Sequence, residues 1–230
     1  LIAILLGCGA VWEILGANGI RNKGSYAAGL FLAVIIPLFS LTEKVWWMAA
    51  ALVLGLGFFT YLMTRIGKQA PAWVAAPEIV LALSLYRGLA CYGEIPHGAF
   101  FLCLTGLICA LTDIFAYLVG SRFGRHKLAP KVSPGKSIEG ALGGLGITVV
   151  LIVLVFGRFF DDIGMLVLYT AVVSILGQFG DLSMSAVKRV AGVKDFGHIF
   201  PGHGGILDRF DSVMFIAPFV TMVIIAVFYR

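Results

Sequence analysis

The chain has 230 residues, 60% of them hydrophobic and 13% charged, with a mean hydropathy of +1.00 and a net charge of +5. A soluble domain carries about 45–50% apolar and about 25% charged residues, so this composition excludes a soluble globular protein and points to a polytopic membrane protein. The 29 glycines suit close helix packing in lipid.

About 20 apolar residues cross a bilayer as a helix. Runs at 1–15, 26–41, 45–63, 73–91, 99–119, 141–156, 163–180 and 213–229 predict an all-α bundle of about eight transmembrane helices. The chain opens at Leu1 inside an apolar run, so we expect its true N-terminus to lie upstream. Cys8, Cys91, Cys103 and Cys109 form no C-x-x-C pair or zinc spacing and read as small core residues. Residues 1–98 read as a membrane scaffold, and 99–230 as the functional region with long loops at 120–140 and 181–212.

Basic residues choose sides. Arg21 and Lys23, then Arg65 and Lys68, then Arg122, Arg125, Lys127, Lys131 and Lys136, then Lys188, Arg189, Lys194 and Arg209 fall in every second connection. These are thirteen of the 17 Lys and Arg residues. Cytoplasmic loops are enriched in Lys and Arg, so the 120–140 and 181–212 loops are expected in the cytoplasm. No basic–aromatic stripe or nucleic-acid motif is present, so no nucleic-acid partner is expected.

Two stretches are too polar for plain connectors. The first holds Asp113 inside an apolar run, then Ser133-Pro134-Gly135-Lys136-Ser137. An ionisable residue within a span is costly and marks a functional candidate; the plainer reading of Asp113 is a carboxylate near the helix end. Glu78 and Arg87 read as interfacial or mutually compensating charges. The Gly135-Lys136-Ser137 tripeptide lacks the earlier glycine of a P-loop, because position 130 is Pro. Lys136 flanked by Ser133 and Ser137 still suits a phosphate.

The second stretch runs from Asp181 to Asp211. If it starts helical, Asp181, Ser185 and Lys188 share one face, as do Asp208 and Asp211. Pro201 and the glycines Gly202, Gly204 and Gly205 let the backbone approach a ligand closely. We expect Asp181, Asp208 and Asp211 to form a metal centre, with Asp195 a weaker candidate and Asp113 outside the coordination sphere. Magnesium takes one or two carboxylates and leaves other positions to water and phosphates. Lys188 and Arg189 would hold phosphates, Lys194 and Arg209 would balance charge, and His203 would contact ligand or hold the turn. This chemistry is metal-assisted nucleotidyl transfer, driven by positioning and electrostatics.

The pattern Ser185-x2-Lys188-Arg189-x4-Lys194-Asp195-x5-Pro201-Gly202-His203-Gly204-Gly205-x2-Asp208-Arg209-x-Asp211 resembles the signature of bacterial phosphatidate cytidylyltransferases. Asp113-x2-Ala116-Tyr117, Ser133-Pro134-x-Lys136-Ser137 and Gly180-Asp181 resemble further landmarks of that family in the same order. Relatives commonly carry Glu where this chain has Met184, and they extend further at the N-terminus, which suggests a ninth helix. The resemblance implies that CTP and phosphatidic acid give CDP-diacylglycerol and pyrophosphate in the bacterial inner membrane. It also implies Mg²⁺ dependence, a second ion that is K⁺, and a homodimer. Two rival readings are a CDP-alcohol phosphotransferase, whose aspartate spacing this chain lacks, and an anion transporter. Transporter sites tend to lie near the midplane on broken helices, often in repeats, whereas these polar residues crowd the span ends.

Overall fold

A computed structural model describes residues 2–38, 79, 97–197, 205–208, 216, 217 and 220. Helices α1 (Ile2–Ala17) and α2 (Lys23–Leu38) form an antiparallel pair. Gly19 ends α1 in the left-handed region at φ +68°, and the amides of Gly19 and Ile20 reach back to the Gly16 and Leu15 carbonyls. This is a Schellman stop, which a side chain at Gly19 would strain.

Three longer helices follow: α3 (Gly98–Phe123), α4 (Ile138–Phe156) and α5 (Ile163–Ala191). All three segments, α4 with its appended 3₁₀ turn, are long and apolar enough to cross a membrane. At about 1.5 Å per residue, the 29 residues of α5 extend about 43 Å, beyond the ~30 Å hydrocarbon core. Ser137 caps α4 by accepting from the Gly140 amide at 3.1 Å. Asp162 caps α5 in the same way, from Met165 at 3.2 Å.

Helices α3 and α4 pack backbone to backbone. A Cβ at Gly144 would lie 2.7 Å from the Thr112 carbonyl oxygen, and one at Gly140 would lie 2.9 Å from Gly120 Cα. Small residues of this kind let helices approach where lipid supplies no hydrophobic drive. Hydroxyls bond across the bundle: Thr112 on α3 lies 3.0 Å from Ser174 on α5 and 3.4 Å from Thr148 on α4. Thr105 and Tyr169 meet at 2.7 Å.

The described residues hold two buried clusters. One joins α1 to the late turns of α5 through Val11, Ile14, Met184, Val187, Phe196 and Leu207, with Cys8 packed against it. The other gathers Ile108, Cys109, Ile152, Leu166 and Val173 from α3, α4 and α5.

Three sequence expectations need correction. The 120–140 segment is not a loop: α3 continues to Phe123, and strands β1 (Lys127–Ala129) and β2 (Ser133–Ser137) form an antiparallel hairpin. The described residues are therefore mostly helical with one two-stranded element. The helix expected to stop at 180 runs on to Ala191. Hydropathy falls there because one face turns polar, while Ser183, Met184, Ala186, Val187 and Val190 stay buried at helical spacing. The expected spans at 45–63, 73–91 and 213–229, like Glu78, Arg87 and Cys91, lie outside the described residues apart from 79, 216, 217 and 220. The described residues thus carry five α-helices, and the count of about eight is not supported by them.

Candidate active site

The polar residues assemble into two stations on α5. The first is a cavity of about 340 Å³ among α3, α5, the start of α4 and the hairpin. Asp113, Tyr117, Ser133, Lys136, Gln178 and Asp181 line it. Lys136, from the second strand, pairs with Asp181, and their side chains are 28% and 26% exposed. Among the described residues, two carboxylates and one ammonium thus share an open cavity with the hydroxyl-bearing Tyr117, Ser121 and Ser133. The Ser137 hydroxyl also lines it, although its oxygen already accepts the α4 capping bond.

The hairpin is tied in place at both ends. Glu139 accepts from the amides of Arg125 at 3.1 Å and His126 at 3.2 Å, and its Oε1 lies 2.6 Å from His126 Nδ1. Arg189 Nε donates to the Val132 carbonyl at 3.2 Å, and Val132 is buried in the α1–α5 core. Lys136 is thereby fixed over α5.

The second station lies seven residues, or about 10 Å, further along the same face of α5. Lys188 Nζ donates to Asp208 Oδ1 at 2.8 Å, while Asp208 Oδ2 accepts from the amides of Phe196 at 2.9 Å and Gly205 at 3.0 Å. Burial alone would raise the Asp208 carboxyl, but the Lys188 ammonium and the two N–H groups outweigh it, so the group titrates below the ordinary carboxylate range. Beneath this turn sits Glu13 of α1, 3% exposed, accepting from the amides of Ile206 at 2.7 Å and Leu207 at 2.8 Å.

Of the residues expected from sequence, Asp113, Ser133, Lys136, Ser137 and Asp181 meet in the first station. Lys188, Gly205 and Asp208 meet in the second, and Arg189 braces the hairpin. Ser185 lies between the two stations, half-buried; Lys194 and Asp195 are exposed after α5, without a side-chain partner among the described residues. His203, Gly204, Arg209 and Asp211 lie outside the described residues. Met184, where relatives commonly carry Glu, is 6% exposed in the α1–α5 core, so the substitution removes no acid from either station. Sequence reasoning missed Glu13. The signal was a lone carboxylate in an apolar run, the same one that singled out Asp113.

A family model described as the cytidylyltransferase family matches residues 1–227. The chain is 37% identical to the phosphatidate cytidylyltransferase of Staphylococcus haemolyticus over 234 residues, covering 98% of this chain and 89% of the relative. It is 36% identical, with the same coverage, to the proteins of that name from Staphylococcus epidermidis and Staphylococcus aureus. The chain therefore belongs to the cytidylyltransferase family, and it is a nucleotidyltransferase with membrane-spanning helices.

Proposed function

We propose that this protein transfers the cytidylyl group of CTP to phosphatidic acid, giving CDP-diacylglycerol and pyrophosphate. A phosphate oxygen of phosphatidate attacks the α-phosphorus of CTP. The bond from that phosphorus to the bridging oxygen breaks, and pyrophosphate carries away the electron pair. The nucleophile is already ionised near neutral pH, so no general base is required, and the chain's task is to bind, align and neutralise. The Lys136–Asp181 pair in a cavity flanked by membrane helices carries this reading, because it sets a phosphate-binding cation beside a carboxylate at a place a lipid can reach.

The cavity suits a divalent cation. Among the described lining residues, Asp113 and Asp181 exceed the Lys136 charge by one, so a cation bound beside incoming phosphates would be balanced. Magnesium bound there would supply charge neutralisation at the phosphates. Of the expected Asp181, Asp208 and Asp211 set we place the cation at Asp181, its most available member, because Asp208 is held on Lys188 in the second station. Asp208 already accepts three donors, and Asp113 joins the candidates because it shares the cavity. Among the described residues no group of three or more His, Cys, Asp or Glu is arranged to hold a metal, so substrate phosphates would complete the sphere. Family resemblance supports a second ion, K⁺, and a homodimer built on residues 1–98. The alternation of basic residues supports a site facing the cytoplasm, and the family resemblance supports a bacterial inner membrane.

The test is direct. Purified protein incubated with labelled CTP, Mg²⁺ and phosphatidic acid should yield labelled CDP-diacylglycerol and pyrophosphate in equal amounts. Product formed with a diacylglycerol acceptor in place of phosphatidate, or no product from either, would remove this reading.

A further inference from the structure

The motif residues lie in the second half of the chain, yet the turn bearing Asp208 rests on a carboxylate from its first helix. Glu13 divides its two oxygens between consecutive amides, those of Ile206 and Leu207. Helix starts at Leu207, and the first amides of a helix have no partner within it. A carboxylate at that point satisfies them and opposes the positive end of the helix dipole.

The fit around Glu13 is specific. A Cβ at Gly197 would lie 2.7 Å from Glu13 Oε1, and one at Gly205 would lie closer still. The chain on both sides of the segment 198–204 therefore closes directly on this one side chain. Next to it, the Gly205 amide turns the other way, to Asp208 Oδ2. The two carboxylates thus hold three successive amides, 205 to 207, and among the described residues only Asp208 carries an ammonium partner. Burying a charge is expensive, and an apolar side chain of similar size would pack α1 at lower cost. The charge at position 13 is explained by what it holds.

We propose that Glu13 is a positioning residue for cytidylyl transfer: it fixes the 205–207 backbone so that Asp208 stays registered on Lys188 and the Phe196 amide. It acts through Asp208 and touches no substrate. This inference rests on the activity proposed above.

Glu13→Gln keeps the shape, but its amide can accept only one of the two bonds. Glu13→Asp keeps the charge on a shorter stem. Both should be purified with wild type, and kcat, KM for CTP and amide hydrogen exchange by mass spectrometry measured for each. We expect Glu13→Gln to lower kcat about tenfold or more, as loss of one charge-assisted bond implies, with KM for CTP within about twofold. Exchange should rise at 205–208 and stay unchanged in α3, α4 and the start of α5. Glu13→Asp should recover part of kcat. Should Glu13→Gln fail to accumulate, Gly205→Ala presses on the same carboxylate and should give the same local exchange. A wild-type kcat in Glu13→Gln, or a loss of activity matched by a uniform rise in exchange, would overturn the proposal. An inactive wild type would instead remove the proposed reaction, while the exchange pattern would still decide whether Glu13 holds the turn.

Discussion

Lys188 and Asp208 bind each other at 2.8 Å with side chains only 14% and 8% exposed. The pair joins the last turn of α5 to the start of the next helix and closes the second station. Removing one member of a buried pair leaves an uncompensated charge, at a cost of about 3–5 kcal/mol. Lys188→Met should therefore lower the melting temperature in detergent sharply. The double variant Lys188→Met with Asp208→Asn, which removes the bare charge and keeps an acceptor for the Phe196 and Gly205 amides, should melt higher than Lys188→Met alone. A simple phosphate-binding role for Lys188, with no structural part, would instead leave the melting temperature of Lys188→Met at the wild-type value.

The same pair sets an acid limb. The Asp208 carboxyl lies lower in the folded protein than its unfolded value of about 3.9. A depressed carboxylate contributes stability that is full above the unfolded pKa and is lost as pH falls through the folded one. Melting temperature should thus be insensitive to Asp208 between pH 8 and 5 and should fall below about pH 4. Asp208→Asn should start lower and lose part of that acid dependence. Melting curves across the series check this, and identical acid limbs for the two proteins would contradict it.

Packing of α3 on α4 gives a third expectation. A Cβ at Gly144 would meet the Thr112 carbonyl at 2.7 Å, and backbone cannot rotate aside as a side chain can. Overpacking costs about 1–3 kcal/mol. Gly144→Ala should destabilise, whereas Gly146→Ala, which meets nothing within 4 Å, should stay near wild type. Equal melting temperatures for the two variants would show that the helices separate freely here.

Much of the site was legible because charge inside an apolar run is costly and therefore conspicuous. Asp113 stood out for that reason, Lys136 and Asp181 because they stand in stretches too polar for plain connectors, and the three share one cavity. Three features were hidden by physics that hydropathy does not register. The late turns of α5 are amphipathic, so their mean hydropathy falls although the helix continues. The hairpin is short, and Ser133 to Ser137 carries Pro and Gly, so no alternating apolar pattern marks it. Glu13 and Asp208 owe their roles to backbone amides, and a carboxylate holding amides has no characteristic spacing in sequence.

Orientation can be tested without activity. The alternation of basic residues predicts the hairpin and the end of α5 in the cytoplasm. After replacement of the four native cysteines, single cysteines at Lys131 and Lys194 should resist an impermeant reagent in intact cells and react once the membrane is opened. Ready labelling at either position from outside would reverse the topology.

The sharpest prediction concerns Asp181. Among the described residues its carboxylate has a single ammonium partner, Lys136, in an open cavity, whereas Asp208 is held by three donors. A cation and substrate phosphates can therefore replace the Lys136–Asp181 pair by exchanging partners: the carboxylate turns to the metal and the ammonium to phosphate. Such an exchange needs no buried charge to be left bare. Asp181→Asn keeps size and removes the charge that attracts Mg²⁺, so kcat/KM should fall about 10²–10³-fold, the scale set by losing a preorganised electrostatic contact. Lys136→Ala should fall by a similar factor while its Mg²⁺ requirement stays that of wild type. The double variant should lose much less than the product of the two single losses, because the residues act as one unit. Activity measured across a Mg²⁺ series separates the roles: Asp181→Asn should need far more Mg²⁺ to reach half-maximal rate. If Asp181→Asn keeps the wild-type Mg²⁺ dependence and rate, the carboxylate serves only to hold Lys136, and the metal must be sought at the second station.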